Sequence, residues 1–154
     1  MKKRTIAGLT ATTAAIGGTA IFAASGATAA SSTDAVRAVQ TASKGISAKA
    51  YELDRERNRW EVTFADGTQK HVSLDGRRVT KTTRDDRDSE VNQARITLIG
   101  ALRAAAPRAG NTRIEDADLD DDNGRLVWQV SFSKDVDVDV DARNGKVLRV
   151  EKDD

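Results

Sequence analysis

Carboxylates are the residues of this chain with the most capacity for chemistry. Asp116, Asp118, Asp120, Asp121 and Asp122 run up to Asn123-Gly124, and Asp135, Asp137, Asp139 and Asp141 alternate with Val136, Val138 and Val140. Clustered carboxylates suit a hard cation such as calcium, or a basic partner. Taking Asp118, Asp120 and Asp122 as the first, third and fifth ligands of a calcium loop puts Asn123 where the sharp turn needs glycine and Gln129 where a bidentate glutamate belongs. Asp118 and Asp120 also belong to an alternating strand rather than a loop. These three are the calcium candidates, set against the plainer reading of a solvated turn. The second row places four carboxylates on one strand face, where they repel one another. Protection of a sheet edge accounts for such a row; an acidic surface for a basic partner or for weakly held divalent cations is the functional alternative.

Other chemistry is sparse. Hydrolysis needs a nucleophile or a metal with an oriented base, and the chain has one histidine and no cysteine. Alternation puts that histidine, His71, on the polar side of a strand opposite Val72 and Leu74, as a solvated residue. Without cysteine there are no disulfides, no thiolate metal sites and no lipid-modified cysteine after a leader. We therefore expect no enzyme, no catalytic residue, no cofactor and no cofactor-binding residue.

The elements that position the acidic rows show two periods. RWEVTFA at 59–65 turns Trp60, Val62 and Phe64 to one side, and RLVWQVSFS at 125–133 does the same with Leu126, Trp128, Val130 and Phe132. Both tryptophans are expected in the core. Further strands are expected at 49–54, 69–75, 78–82, 112–120, 134–141 and 146–151, with a hairpin at Asp66-Gly67. Ala35, Ala38, Val39 and Ala42 form a helical stripe capped by Ser32 or Thr33 and stopped near Gly45. Val91, Ala94, Leu98, Leu102 and Ala105 form a second stripe, capped by Ser89, with Glu90 in its first turn and Pro107 and Gly110 closing it.

The two halves repeat. At an offset of 68, Trp60, Val62, Phe64 and Val79 meet Trp128, Val130, Phe132 and Val147; at 66, Leu53, Asp54, Val72 and Asp75 meet Leu119, Asp120, Val138 and Asp141. An amphipathic helix covers one face of an alternating sheet and leaves the other polar. The expected fold is α+β, with two tandem units of one helix on a three- to four-stranded antiparallel sheet: 30–84, a charged linker at 85–89, and 90–154.

Before these units, Lys2, Lys3 and Arg4 precede an uncharged stretch from Ile6 to Ala24, and Ala27-Thr28-Ala29 offers small residues to a signal peptidase. Residues 1–29 are thus expected to be a secretory leader, and the mature protein to be secreted or in the cell envelope. Removing the three leader cations from 25 Lys and Arg leaves 22 against 24 acidic residues, a net charge of −2. No basic, aromatic-interleaved surface for nucleic acid is present, and no second apolar run long enough to span a membrane follows.

The second half resembles the PepSY domain, named for propeptides of secreted thermolysin-like peptidases. The resemblance rests on LDDDNG at 119–124, the strand with Trp128, Val130 and Phe132, VDVDA, and above all DARNGKVL at 141–148. The first half is similar but more degenerate, with Asp75-Gly76-Arg77-Arg78-Val79 at its final turn. The resemblance implies a helix on an antiparallel sheet and a non-catalytic role in inhibiting or controlling peptidases outside the cell. The implied partner is a secreted peptidase or another envelope protein.

Overall fold

A computed structural model describes residues 27–84 and 90–152; the expected leader up to residue 26, the linker at 85–89 and the Ser89 cap lie outside the described residues. In chain order the elements are α1 (Ala27–Ala42), β1 (Ala50–Arg55), β2 (Arg59–Phe64), β3 (Thr68–Ser73), β4 (Val79–Arg84), a 3-10 turn at Glu90–Gln93, α2 (Leu98–Ala109), β5 (Ile114–Asp122), β6 (Arg125–Phe132), β7 (Val136–Asp141) and β8 (Val147–Lys152). The class is α+β, two helices with an antiparallel sheet. The expected three- to four-stranded sheets are not separate, however. β1 pairs with β5, and all eight strands form one sheet in the order β4-β3-β2-β1-β5-β6-β7-β8.

Alternation explains the layers. Leu53, Trp60, Val62, Phe64, Val72, Ala117, Trp128, Val130, Val138 and Val140 all point to one face and share one core with Ala35, Ala38, Val39, Ala42, Leu98, Leu102 and Ala105 of the helices. Both tryptophans are buried, and each indole N–H finds a carbonyl: Trp60 donates to Leu74 at 2.9 Å and Trp128 to Ile96 at 3.0 Å. The small alanines of both helices let the backbones lie close to the broad rings beneath. Lysines close two loose ends: Lys70 Nζ donates to the carbonyls of Ala42 and Lys44 at the end of α1, and Lys49 Nζ to those of Asn92 and Ala94 ahead of α2.

The helix boundaries correct the sequence reading. α1 already runs from Ala27, so Ser32 and Thr33 lie inside it rather than at its cap; the alanines before them are strong helix formers. α2 starts at Leu98 with Thr97 as its cap, its hydroxyl accepting from Gly100 N at 3.2 Å. The stripe drawn through Val91 and Ala94 is not one helix, because the N–H groups of Arg95 and Ile96 are both engaged by the carbonyl of Ala142, at 2.9 and 2.8 Å. That pins the segment in an extended path. Pro107 does not end α2 either. It sits in the last turn, where its missing N–H gives up the i→i−4 bond to residue 103, and the helix runs on to Ala109 before Gly110.

Candidate functional site

Both helices lie on the core face, so no described helix covers the opposite one. Alternation sends Glu52 and Asp54 of β1, Glu61 of β2, and Asp116, Asp118 and Asp120 of β5 there, since Leu53, Val62 and Ala117 between them are in the core. The antiparallel register sets Glu52 opposite Asp118, Asp54 opposite Asp116, and Glu61 on the other side of Asp54. Like charges directly opposite one another destabilise a sheet. Burial pushes the Asp118 carboxyl up to about 6, with Asp116, Asp120 and Glu52 adding to it. Burial also raises Asp54, followed by the charges of Asp116 and Glu56. The β1–β5 seam in the middle of the sheet is therefore a concentration of carboxylates held near one another at a cost.

Two carboxylates of the other acidic row, Asp139 and Asp141, are compensated. Asp139 accepts from Arg149 Nε at 2.8 Å, and Asp141 accepts from Arg125 Nε and Nη2 at 3.0 and 2.6 Å. Arg125 holds the Asp141 carboxyl below the usual range, aided by N–H bonds from Arg143 and Asn144. Two expectations about this row are corrected. Asp135 lies in the turn before β7, at φ 51°, so only Asp137, Asp139 and Asp141 share the strand face. Edge protection does not explain them, because β7 is interior and β8 pairs along its outer side.

Of the calcium candidates, Asp118 and Asp120 are neighbours on the open face, while Asp122 is exposed at the hairpin, where it accepts from Asn123 Nδ2 at 2.7 Å. Asp120 accepts from Gln129 Nε2 at 3.3 Å. Among the described residues no group of three or more His, Cys, Asp or Glu is gathered to hold a metal ion. A strand spreads alternate residues by roughly 7 Å, too far for one ion to collect three of them.

His71 is not solvated as expected. It is 5% exposed, with Nε2 2.9 Å from Glu61 Oε2, and Nδ1 has no hydrogen-bond partner among the described residues. Its strand is interior, flanked by Glu61 of β2 and Lys81 of β4. Glu61 also accepts from Gln69 Nε2 at 2.6 Å. The pair extends the polar network of the open face toward β3.

The turn at 141–147 shows what its motif does physically. Asp141 Oδ1 accepts from Arg143 N at 2.7 Å and Asn144 N at 3.1 Å, closing the turn from inside. Ala142 is fully buried, and its carbonyl is the group that pins Arg95 and Ile96. Gly145 has φ 75° and faces Ile96, whose atoms would lie 3.6 Å from an added Cβ. The motif thus ties the last hairpin to the start of α2. In the first half Asp75 performs a shorter version, accepting from Ser73 Oγ and Arg77 N.

On the core side a small apolar cavity of about 210 Å³ opens between the end of α1, β1 and the start of α2, lined by Val39, Ala50, Ile96, Leu98, Ile99 and Trp128. It is below the size that accommodates most small-molecule ligands.

No curated protein matches the chain. A crystal structure of a candidate lipoprotein from Clostridium difficile 630 is similar, with TM-score 0.43 and 23% identity over 79% of this chain and 91% of that one. No helix among the described residues is long and apolar enough to cross a membrane. Residues 100–151, about a third of the chain, match the family described as Peptidase propeptide and YPEB domain, PepSY, so that the match spans most of α2 and all of β5 to β7 and takes in the turn built on Asp141.

Proposed function

We propose that this chain is an exported, non-catalytic binding module that restrains a secreted peptidase, docking through the uncovered acidic face of its sheet. The observation that carries the reading is the PepSY match at 100–151, a domain named for peptidase propeptides. The raised Asp118 and Asp54 carboxyls on the same open face support the choice of surface. Lysine or arginine side chains of a partner would relieve the repulsion at the β1–β5 seam, so binding energy is stored there in advance. We further read the chain as two PepSY-like units, 30–84 and 90–154, joined at that seam; the shared order of one helix followed by four strands supports this. The leader at 1–29 would deliver the protein to the cell envelope or the medium.

The test is hydrolysis of a peptide substrate by a panel of secreted metallopeptidases, with and without the purified mature chain. Slowed turnover of at least one, with no cleavage by the chain alone, is the expected result. A chain that hydrolyses peptides after rigorous purification, or one that slows none of the panel, contradicts the proposal.

A further inference from the structure

An eight-stranded open sheet has two edges, and they differ here. β4 presents Val79-Thr80-Lys81-Thr82-Thr83-Arg84, a polar and cationic edge of the kind that resists pairing. β8, Val147–Lys152, carries the large hydrophobic side chains that are exposed among the described residues, Leu148 at 37% and Val150 at 40%. Val150 lies opposite Val138, so it belongs to the helix-bearing face but sits at its outer rim. The strand is irregular only near Leu148, between the pairs Asp139–Arg149 and Val140–Val147; from Arg149 to Lys152 the register is unbroken. Among the described residues no strand pairs with the outer side of β8, and an unpaired backbone beside apolar side chains is a template for another strand.

The charges around Val150 indicate which strand. Arg149 and Glu151 flank it with opposite signs and share the open face, where they pair with each other at 3.0 Å while Arg149 also holds Asp139 at 2.8 Å, so that both half-exposed groups can be shared with a second strand. A two-fold axis through Val150, with β8 antiparallel to its own copy, places Val150 against the partner's Val150 and Arg149 directly opposite the partner's Glu151. Symmetry repeats that ion pair on the other side of the axis. We infer that β8 is a self-complementary edge through which two copies of this chain join into one continuous sheet. Cross-strand opposite charges favour the register, and a slip by one residue would put the apolar pair on the wrong face. The pairing leaves the β1–β5 seam open.

The experiment is sedimentation equilibrium of the mature chain, from residue 30 on, up to about 1 mM, alongside Arg149→Glu and Glu151→Arg variants. The wild type should shift from monomer to dimer with concentration. Each single variant should raise the dimer dissociation constant about tenfold or more, because like charges then face each other twice. Mixing the two variants should restore association. In the mixed dimer the introduced glutamate of one chain faces the introduced arginine of the other, and the retained Glu151 faces the retained Arg149. Circular dichroism of each variant separates loss of pairing from loss of fold, and Val150→Lys, at an already exposed position, provides a second disruption. A wild-type chain that stays monomeric throughout, or a dimer that neither the charge variants nor Val150→Lys weakens, overturns the inference.

Discussion

At the scale of single residues, the carboxylates divide into those that stabilise the fold and those that oppose it. Asp141 is anchored by Arg125 and by its own turn, so its depressed ionisation contributes stability above the unfolded value of 3.8, lost as pH falls through the lower folded value. Asp118 is the reverse. Its folded value of about 6 lies above the unfolded 3.8, so the stability linked to its protonation is fully present below 3.8 and is lost as pH rises through 6. Asp118→Asn should therefore stabilise the protein by about 1 kcal/mol at pH 7, with the gain vanishing near pH 4. Urea unfolding of both proteins at the two pH values checks this. The open spacing of Asp118, Asp120 and Asp122 further predicts that calcium chloride raises the melting temperature no more than sodium chloride at matched ionic strength; a specific site at a hundredfold excess over Kd would add about 2.7 kcal/mol. These aspartates and their alternation are legible in the sequence. That Glu52, Asp54 and Glu61 join them is not, because it depends on pairing β1 with β5, two strands far apart along the chain. Nor does the sequence place His71 indoors, since burial on the polar face depends on neighbours from two other strands.

At the scale of elements, strand periodicity is the dependable signal. Each expected strand lies within about two residues of its observed position, because alternating Trp, Val and Phe admit only one pleated face. The second helix is shorter than its stripe, since a 3.6-residue pattern through Val91 and Ala94 cannot reveal that Ala142 engages the N–H groups of Arg95 and Ile96. The Asp row of β7 has the look of an edge because nothing local to that strand announces β8 outside it. Gly76 illustrates a constraint that reaches between elements. At φ 70° it lies so close under α1 that an added Cβ would stand 2.6 Å from the Asp34 carbonyl oxygen and 2.8 Å from Ala38 N. Gly76→Ala should cost about 2 to 4 kcal/mol, combining left-handed strain with overpacking against helix backbone. Thermal melting reads this directly, and an unchanged melting temperature would mean that α1 does not seat on that turn.

At the scale of the whole molecule, one sheet has one face packed against two helices and another that no described helix covers. The core face gathers the apolar residues of both halves beneath two helices, whereas the open face collects carboxylates whose mutual repulsion the fold tolerates. Residues that lower stability and occupy an uncovered surface are those expected to act in binding, and removing them should separate the two properties. The most direct measurement is inhibition of a responsive secreted metallopeptidase by the mature chain and by the triple variant Asp54→Asn, Asp116→Asn, Asp118→Asn, with both melting temperatures recorded. The variant should melt at or above the wild type yet inhibit at least about tenfold less well, the equivalent of about 1.4 kcal/mol or more of lost binding. Equal inhibition by a variant of equal or greater stability would contradict a docking role for the acidic face.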